Sequence, residues 1–254
     1  VTAAEWGGFS PFYRPILLDS VDSTNLYAKD LARQGEAEGA VVIARSQNAG
    51  RGRRGRSFYS PQGDGLYMSV LLRPTLPACA SLTLTTKAAV AVYEALRARG
   101  FPCEVKWVND LLLRGRKVCG ILTEGQTNPR GRLAWAVVGI GVNLREPDGG
   151  FPRELADIAG ALYAREALPE GAARELAMDI LARFHGLYQG AERCHLAAYR
   201  AACPVAGRRI LVLGRGEPRE ALALGIGEDF GLWVRWPGGG EEVLSSGEIS
   251  TRFV

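Results

Sequence analysis

Residues 40–72, AVVIARSQNAGRGRRGRSFYSPQGDGLYMSVLL, hold two apolar runs and, between them, a densely charged loop. AVVIARS from Ala40 is short and β-branched, and GLYMSVLLRP from Gly65 has the same texture, so both read as core strands. Residues 50–56 put four arginines and three glycines into seven positions. Glycine lets a backbone come close to a ligand, and guanidinium groups grip anions through forked N–H donors, whereas a helical basic arm would avoid the glycines. Taken alone, the loop fits solvated charge, a nucleic-acid contact, or a cradle for one small anion.

Outward from this loop, DSTNLYAKDLARQG places Ser23 or Thr24 at a helix N-cap, Leu26, Ala28, Leu31 and Ala32 on one stripe, and Gly35 as the stop. Residues 79–100 read as a long helix. CEVKWVND and LLLRGRKVCGILTEG read as strands turning at residues 114–116, and RLAWAVVGIGVN as a buried strand. Residues 151–202 have helical spacing. From Pro204, short runs separated by Gly, Pro and Asp suggest a small antiparallel β-barrel, which sets a domain boundary near residue 203.

With 254 residues and 47% apolar side chains, the chain can bury a sizeable core. Its 31 basic and 27 acidic residues leave a net charge of +4, too little for a dedicated nucleic-acid face. No apolar run approaches the ~20 residues of a membrane helix, and the N-terminal stretch has no basic start followed by an apolar core. Cysteines 79, 103, 119, 194 and 203 form no C-x-x-C pair. They are expected to be reduced and buried in a cytoplasmic protein. His185 and His195 have no cysteine at ligand spacing, which argues against zinc.

Two further stretches carry chemistry. VKWVNDLLL and RKVCGIL bring Lys106, Asn109, Asp110 and Lys117 into neighbouring segments, although a plain hairpin with solvated lysines reads the same way. In GIGVN, the glycines would admit a flat ligand and Asn143 can both donate and accept hydrogen bonds. A β-bulge has the same appearance.

In combination and in this order, DSTN, GRGRRGRSFYSP, KWVNDLLL, RKVCGIL, GIGVN and the terminal GEIST resemble the biotin protein ligases (biotin–[acetyl-CoA-carboxylase] ligases). The resemblance covers roughly residues 16–254 and is strongest over 22–143. It implies an α+β fold: a catalytic domain, residues 1–203, with a central mixed sheet and flanking helices similar to class II aminoacyl-tRNA synthetases, then an SH3-like β-barrel, residues 204–254. It implies formation of biotinyl-5′-AMP from biotin and ATP with Mg²⁺, then transfer of biotin to a lysine of a biotin carboxyl carrier protein.

The resemblance also implies roles. Ser23, Thr24, Gln47, Gly50, Arg51, Lys117 and Gly120 would hold biotin. Arg51, Arg53, Asn109, Lys117 and Asn143 would hold ATP or the adenylate. Arg51, Lys106, Asp110 and Lys117 would serve catalysis, and no residue is assigned as a metal ligand. Val108 stands where the family motif usually has proline, which loosens that turn without removing a reacting group. Only 22 residues precede Ser23, so the expectation is a ligase without the DNA-binding domain of its repressor relatives, with a homodimer left open. A related ligase for lipoate or another small carboxylic acid, and an RNA-binding module built on the arginine loop and the barrel, are the alternatives.

Overall fold

The protein was analysed as a computed structural model that describes residues 8–77, 81–214, 217–245 and, for the backbone, 250–253. Cys79 and most of GEIST lie outside these residues. Seven strands, β1 (Arg14–Val21), β2 (Ala40–Gln47), β3 (Gly65–Leu72), β4 (Cys103–Lys106), β5 (Asp110–Leu113), β6 (Arg116–Thr127) and β7 (Leu133–Asn143), form one sheet in the order β1-β2-β3-β7-β6-β5-β4. Only β1 and β2 run parallel. Parallel neighbours need a crossover, and helix α1 (Thr24–Arg33) supplies it. The central sheet is therefore mixed, as expected.

Side chains alternate between the two faces of each strand, so each strand serves two cores. Val41, Ile43, Met68, Val138 and Ile140 face a large core with α2 (Ser81–Ala98), α3 (Ala172–Gln189) and α4 (Leu196–Ala202). Val42, Leu71, Trp135 and Val137 face Ala28 and Ala32 of α1. The expected turn at residues 114–116 is made by Arg114 at φ 52° and Gly115 at φ 78°, the left-handed pair that suits a two-residue hairpin.

Two expectations need correction. Residues 151–171 are turns with one short 3₁₀ segment, and the helix begins only at Ala172. The competing force is sheet pairing: Lys117 N donates to Ile158 O and Gly160 N to Lys117 O, at 2.8 and 2.9 Å, which holds this stretch against β6. Cys194 is exposed, whereas Cys103, Cys119 and Cys203 are buried.

Beyond residue 203, β8 (Arg209–Leu213), β9 (Arg219–Ile226), β10 (Leu232–Arg235), β11 (Glu241–Leu244) and β12 (Ser250–Phe253) form an antiparallel sheet in the order β11-β10-β9-β8-β12. Its inward residues Ile210, Ala223, Phe230 and Leu232 join the large core rather than forming a second one.

Candidate functional site

On the α1 face, the middle of the sheet carries little side chain. Ser69 and Leu122 flank Gly139, and Tyr67 and Gly120 flank Gly141. Two protein groups lie on this bare strip. A Cβ at Gly141 would sit 2.6 Å from the Phe58 ring, and one at Gly139 would sit 2.0 Å from Asn25 Oδ1. The GIGVN glycines thus admit Phe58 and Asn25, where the sequence suggested space for a ligand. Above the strip lies a cleft lined by residues of α1, β2, β6, β7 and the arginine loop.

One wall is polar and uncharged. Ser23 has N-cap backbone geometry, φ −158° and ψ 130°, but its hydroxyl makes no capping bond. It lines the cleft instead. Gln47 Oε1 accepts from Thr24 N at 2.9 Å and Thr24 Oγ1 at 3.1 Å, while its Nε2 donates to Ser60 Oγ at 2.8 Å. Ser69 Oγ lies 2.8 Å from Thr24 Oγ1 and 2.6 Å from Asn25 Oδ1. Strand β2 and helix α1 are thereby locked together, and burial makes such a network costly to break.

The other wall is cationic. Arg51, Arg53 and Lys117 all line the cleft. Arg53 donates to Asn109 Oδ1 at 3.0 Å, and Asn109 Nδ2 donates to Ile121 O at 2.8 Å. Burial lowers the Arg53 pKa, with Arg54 and Arg56 adding repulsion and Asp110 opposing it. Lys117 Nζ pairs with Asp110 Oδ1 at 2.7 Å and lies 5.8 Å from the Phe58 centroid. Gly120 leaves room for this arrangement, because a Cβ there would be 3.0 Å from Lys117 Nζ. At the rim, Glu124 accepts from Asn25 at 2.9 Å and Lys29 at 2.7 Å. These bonds, with Arg51 nearby, outweigh burial and hold its pKa below the usual value.

Not every expected residue meets the cleft. Gly50 is buried beneath it, where a Cβ would strike Phe58 O at 2.2 Å and Ser60 Oγ at 2.7 Å. Its role here is the close approach that lets Phe58 N donate to Gly50 O. Lys106 faces Asp110 across the β4–β5 pair and is not among the cleft residues. Asn143 Nδ2 donates to Gly160 O at 3.0 Å and also lies 3.4 Å from Lys117 O, so it clips residues 158–160 to β6 outside the cleft. Arg54 and Arg56 are exposed. Sequence reasoning missed Asn25 and Phe58. Both lie inside stretches it singled out, but only the fold shows that the glycine strip receives them.

The family model described as biotin/lipoate A/B protein ligase matches residues 17–143. The chain is 42% identical over 148 residues to the bifunctional ligase/repressor BirA of Bacillus spizizenii, covering 58% of this chain and 45% of that one. It is 46% identical over 138 residues to the biotin–[acetyl-CoA-carboxylase] ligase of Paracoccus denitrificans, covering 53% and 56%. It is 31% identical over 245 residues to the Mycobacterium tuberculosis protein of the same description, covering 91% and 88%. The chain thus spans about half the length of the BirA relatives it matches and most of the mycobacterial one. The biotin protein ligase from Aquifex aeolicus solved with biotin and ATP superposes with a TM-score of 0.78 at 27% identity, covering 95% of this chain and 99% of that one. By family model and by relatives alike, this chain belongs to the biotin/lipoate A/B protein ligase family.

Proposed function

We propose that the protein joins biotin to ATP as biotinyl-5′-AMP, releasing pyrophosphate, and passes the biotinyl group to a lysine of a biotin carboxyl carrier protein. One observation carries this reading: a neutral polar wall of Ser23, Thr24 and Gln47 and a cationic wall of Arg51, Arg53 and Lys117 face the same cleft. The first suits an uncharged ureido ring, and the second suits a carboxylate brought against a polyphosphate.

A carboxylate is already ionised at neutral pH, so its attack on the α-phosphorus needs no base. The barrier is repulsion between anions, and fixed cations lower it by stabilising charge on the phosphoryl oxygens and the departing pyrophosphate. In the second step the carrier amine attacks the acyl carbon, the bond to AMP oxygen breaks, and AMP leaves. Asp110 is the proposed acceptor of the amine's proton, with Lys117 beside it on the adenylate. Asn109 would support Arg53 on the nucleotide. Gly50 and Gly120 would serve by giving space, Lys106 by sitting behind Asp110, and Asn143 through the segment it clips to β6.

Among the described residues, no group of three or more His, Cys, Asp or Glu could hold a metal. Mg²⁺ is therefore proposed as an ion that arrives with the triphosphate, whose oxygens supply most of its ligands. The division at residue 203, an SH3-like closure of the C-terminal sheet, a class II synthetase-like catalytic domain, a cytoplasmic setting and a homodimer are part of the same proposal. Among the described residues, no helix is long and apolar enough to cross a membrane.

Biotin-dependent ATP–pyrophosphate exchange tests the reading. Exchange with biotin is the expected result. Exchange with lipoate alone would move the protein to the other branch of its family, and salt-sensitive RNA binding without exchange would favour a nucleic-acid module.

A further inference from the structure

The turn that carries Asn109 and Asp110 is gripped from behind by the C-terminal sheet. Between β9 and β10, Gly227 N donates to Gly231 O at 2.8 Å, and this tight turn presents Phe230 at φ 63°. Phe230 is 2% exposed. Its carbonyl accepts from Trp107 Nε1 at 2.9 Å. Its ring stacks on His195, with centroids 4.6 Å apart at 17°, and meets Tyr199 edge-on at 5.7 Å. Tyr199 in turn donates to Val108 O at 3.0 Å. Trp107 and Val108 are thus held at two points, and the next residue is Asn109, which receives Arg53.

From this geometry we infer that Phe230 is a positioning residue for the nucleotide side of the cleft, acting through Trp107, Tyr199 and Val108 on Asn109 and Arg53. The inference rests on the ligase reading above. The hold is one-sided: Thr24 on α1 and Gln47 on β2 are fixed by each other, Ser60 and Ser69, Ser23 stands at the N-cap of α1, and none of these hydrogen bonds involves the wedge. Loosening the wedge therefore disturbs ATP handling and leaves biotin recognition alone. Small displacements of catalytic groups have large kinetic effects.

The test uses the full chain with Phe230→Gly, which keeps the carbonyl and the positive φ but removes the ring, together with Trp107→Phe and Tyr199→Phe, which each delete one bond. Val212→Ala, in the core of the same sheet, controls for general destabilisation. In pyrophosphate exchange, the three wedge variants should lose on the order of tenfold in kcat/KM for ATP while KM for biotin stays within about twofold. Val212→Ala, at equal loss of Tm, should keep both. Hydrogen–deuterium exchange of residues 107–111 should accelerate in the wedge variants and not in the control. Wild-type kinetics with unchanged protection, or an equal rise in KM for biotin, overturns the inference. If the wild-type protein shows no exchange at all, the ligase reading fails, and the deuterium result still decides whether the wedge holds the turn.

Discussion

Lowering the pH from 7 to 5 should destabilise this protein through one buried histidine. His195 is 1% exposed between α2, α4 and Phe230, with Nε2 2.8 Å from Thr86 Oγ1. Its Nδ1 has no hydrogen-bond partner among the described residues. Burial, and then the charge of Lys87, pull its pKa from 6.5 down to about 4. The unfolded chain binds this proton more readily than the native one, so stability is lost as pH falls through 6.5 toward 4 and is fully present above that window. Linkage with those two values gives a loss of about 2 kcal/mol between pH 7 and 5 and about 3 kcal/mol when complete. For a chain of this size the loss at pH 5 is a Tm drop of about 4–8 °C. Glu124 and Asp179 have depressed pKa values, so their contributions are lost at lower pH and do not confuse the window. Thermal melts of the wild type and His195→Gln at pH 7 and 5 measure the effect. The variant should lose most of the pH slope. Equal slopes in the two proteins would refute a neutral, buried His195.

Gly139→Ala places a methyl 2.0 Å from Asn25 Oδ1, so Asn25 must leave Ser69 and Glu124. Urea denaturation should show a loss of about 1–3 kcal/mol and calorimetry a weakened biotin affinity; unchanged values in both would remove Asn25 from the site. Lys117→Met should cut pyrophosphate exchange by about 10²–10³-fold with little loss of fold, and a near-normal rate would end its role in the first step. Asp110→Asn should leave exchange within about tenfold and slow transfer from preformed adenylate more strongly. Transfer at the wild-type rate would exclude Asp110 as the base.

The strands around the arginine loop were legible because texture and punctuation agree: short, continuous apolar runs in β2 and β3, and glycines in the loop between them. Helix α1 was legible from its stripe and from Gly35. Residues 151–171 were not, because alanine and leucine at helical spacing say nothing of the backbone pairing at Lys117 that competes with a helix. The neutral and cationic groups of the cleft were legible as residue types, since ureido, carboxylate and phosphate chemistry each call for particular donors. Their ranking was not. Gly50, Lys106 and Asn143 look like ligands in a motif, yet Gly50 packs against Phe58 and Lys106 pairs with Asp110 close by in the chain, while Asn143 is taken up by backbone oxygens of Lys117 and Gly160 that no motif reports. Phe230 was invisible for the same reason, as its partners lie up to 123 residues away.

The central claim is an acyl-adenylate made in this cleft, and the fate of one oxygen tests it most directly. Biotin labelled with heavy oxygen in its carboxylate, ATP and a biotin carboxyl carrier protein are incubated with the full chain, and the nucleotide product is analysed by mass spectrometry. Attack on the α-phosphorus followed by acyl transfer leaves one labelled oxygen on AMP, with biotin on a carrier lysine. Unlabelled AMP, or ADP in its place, would contradict the account.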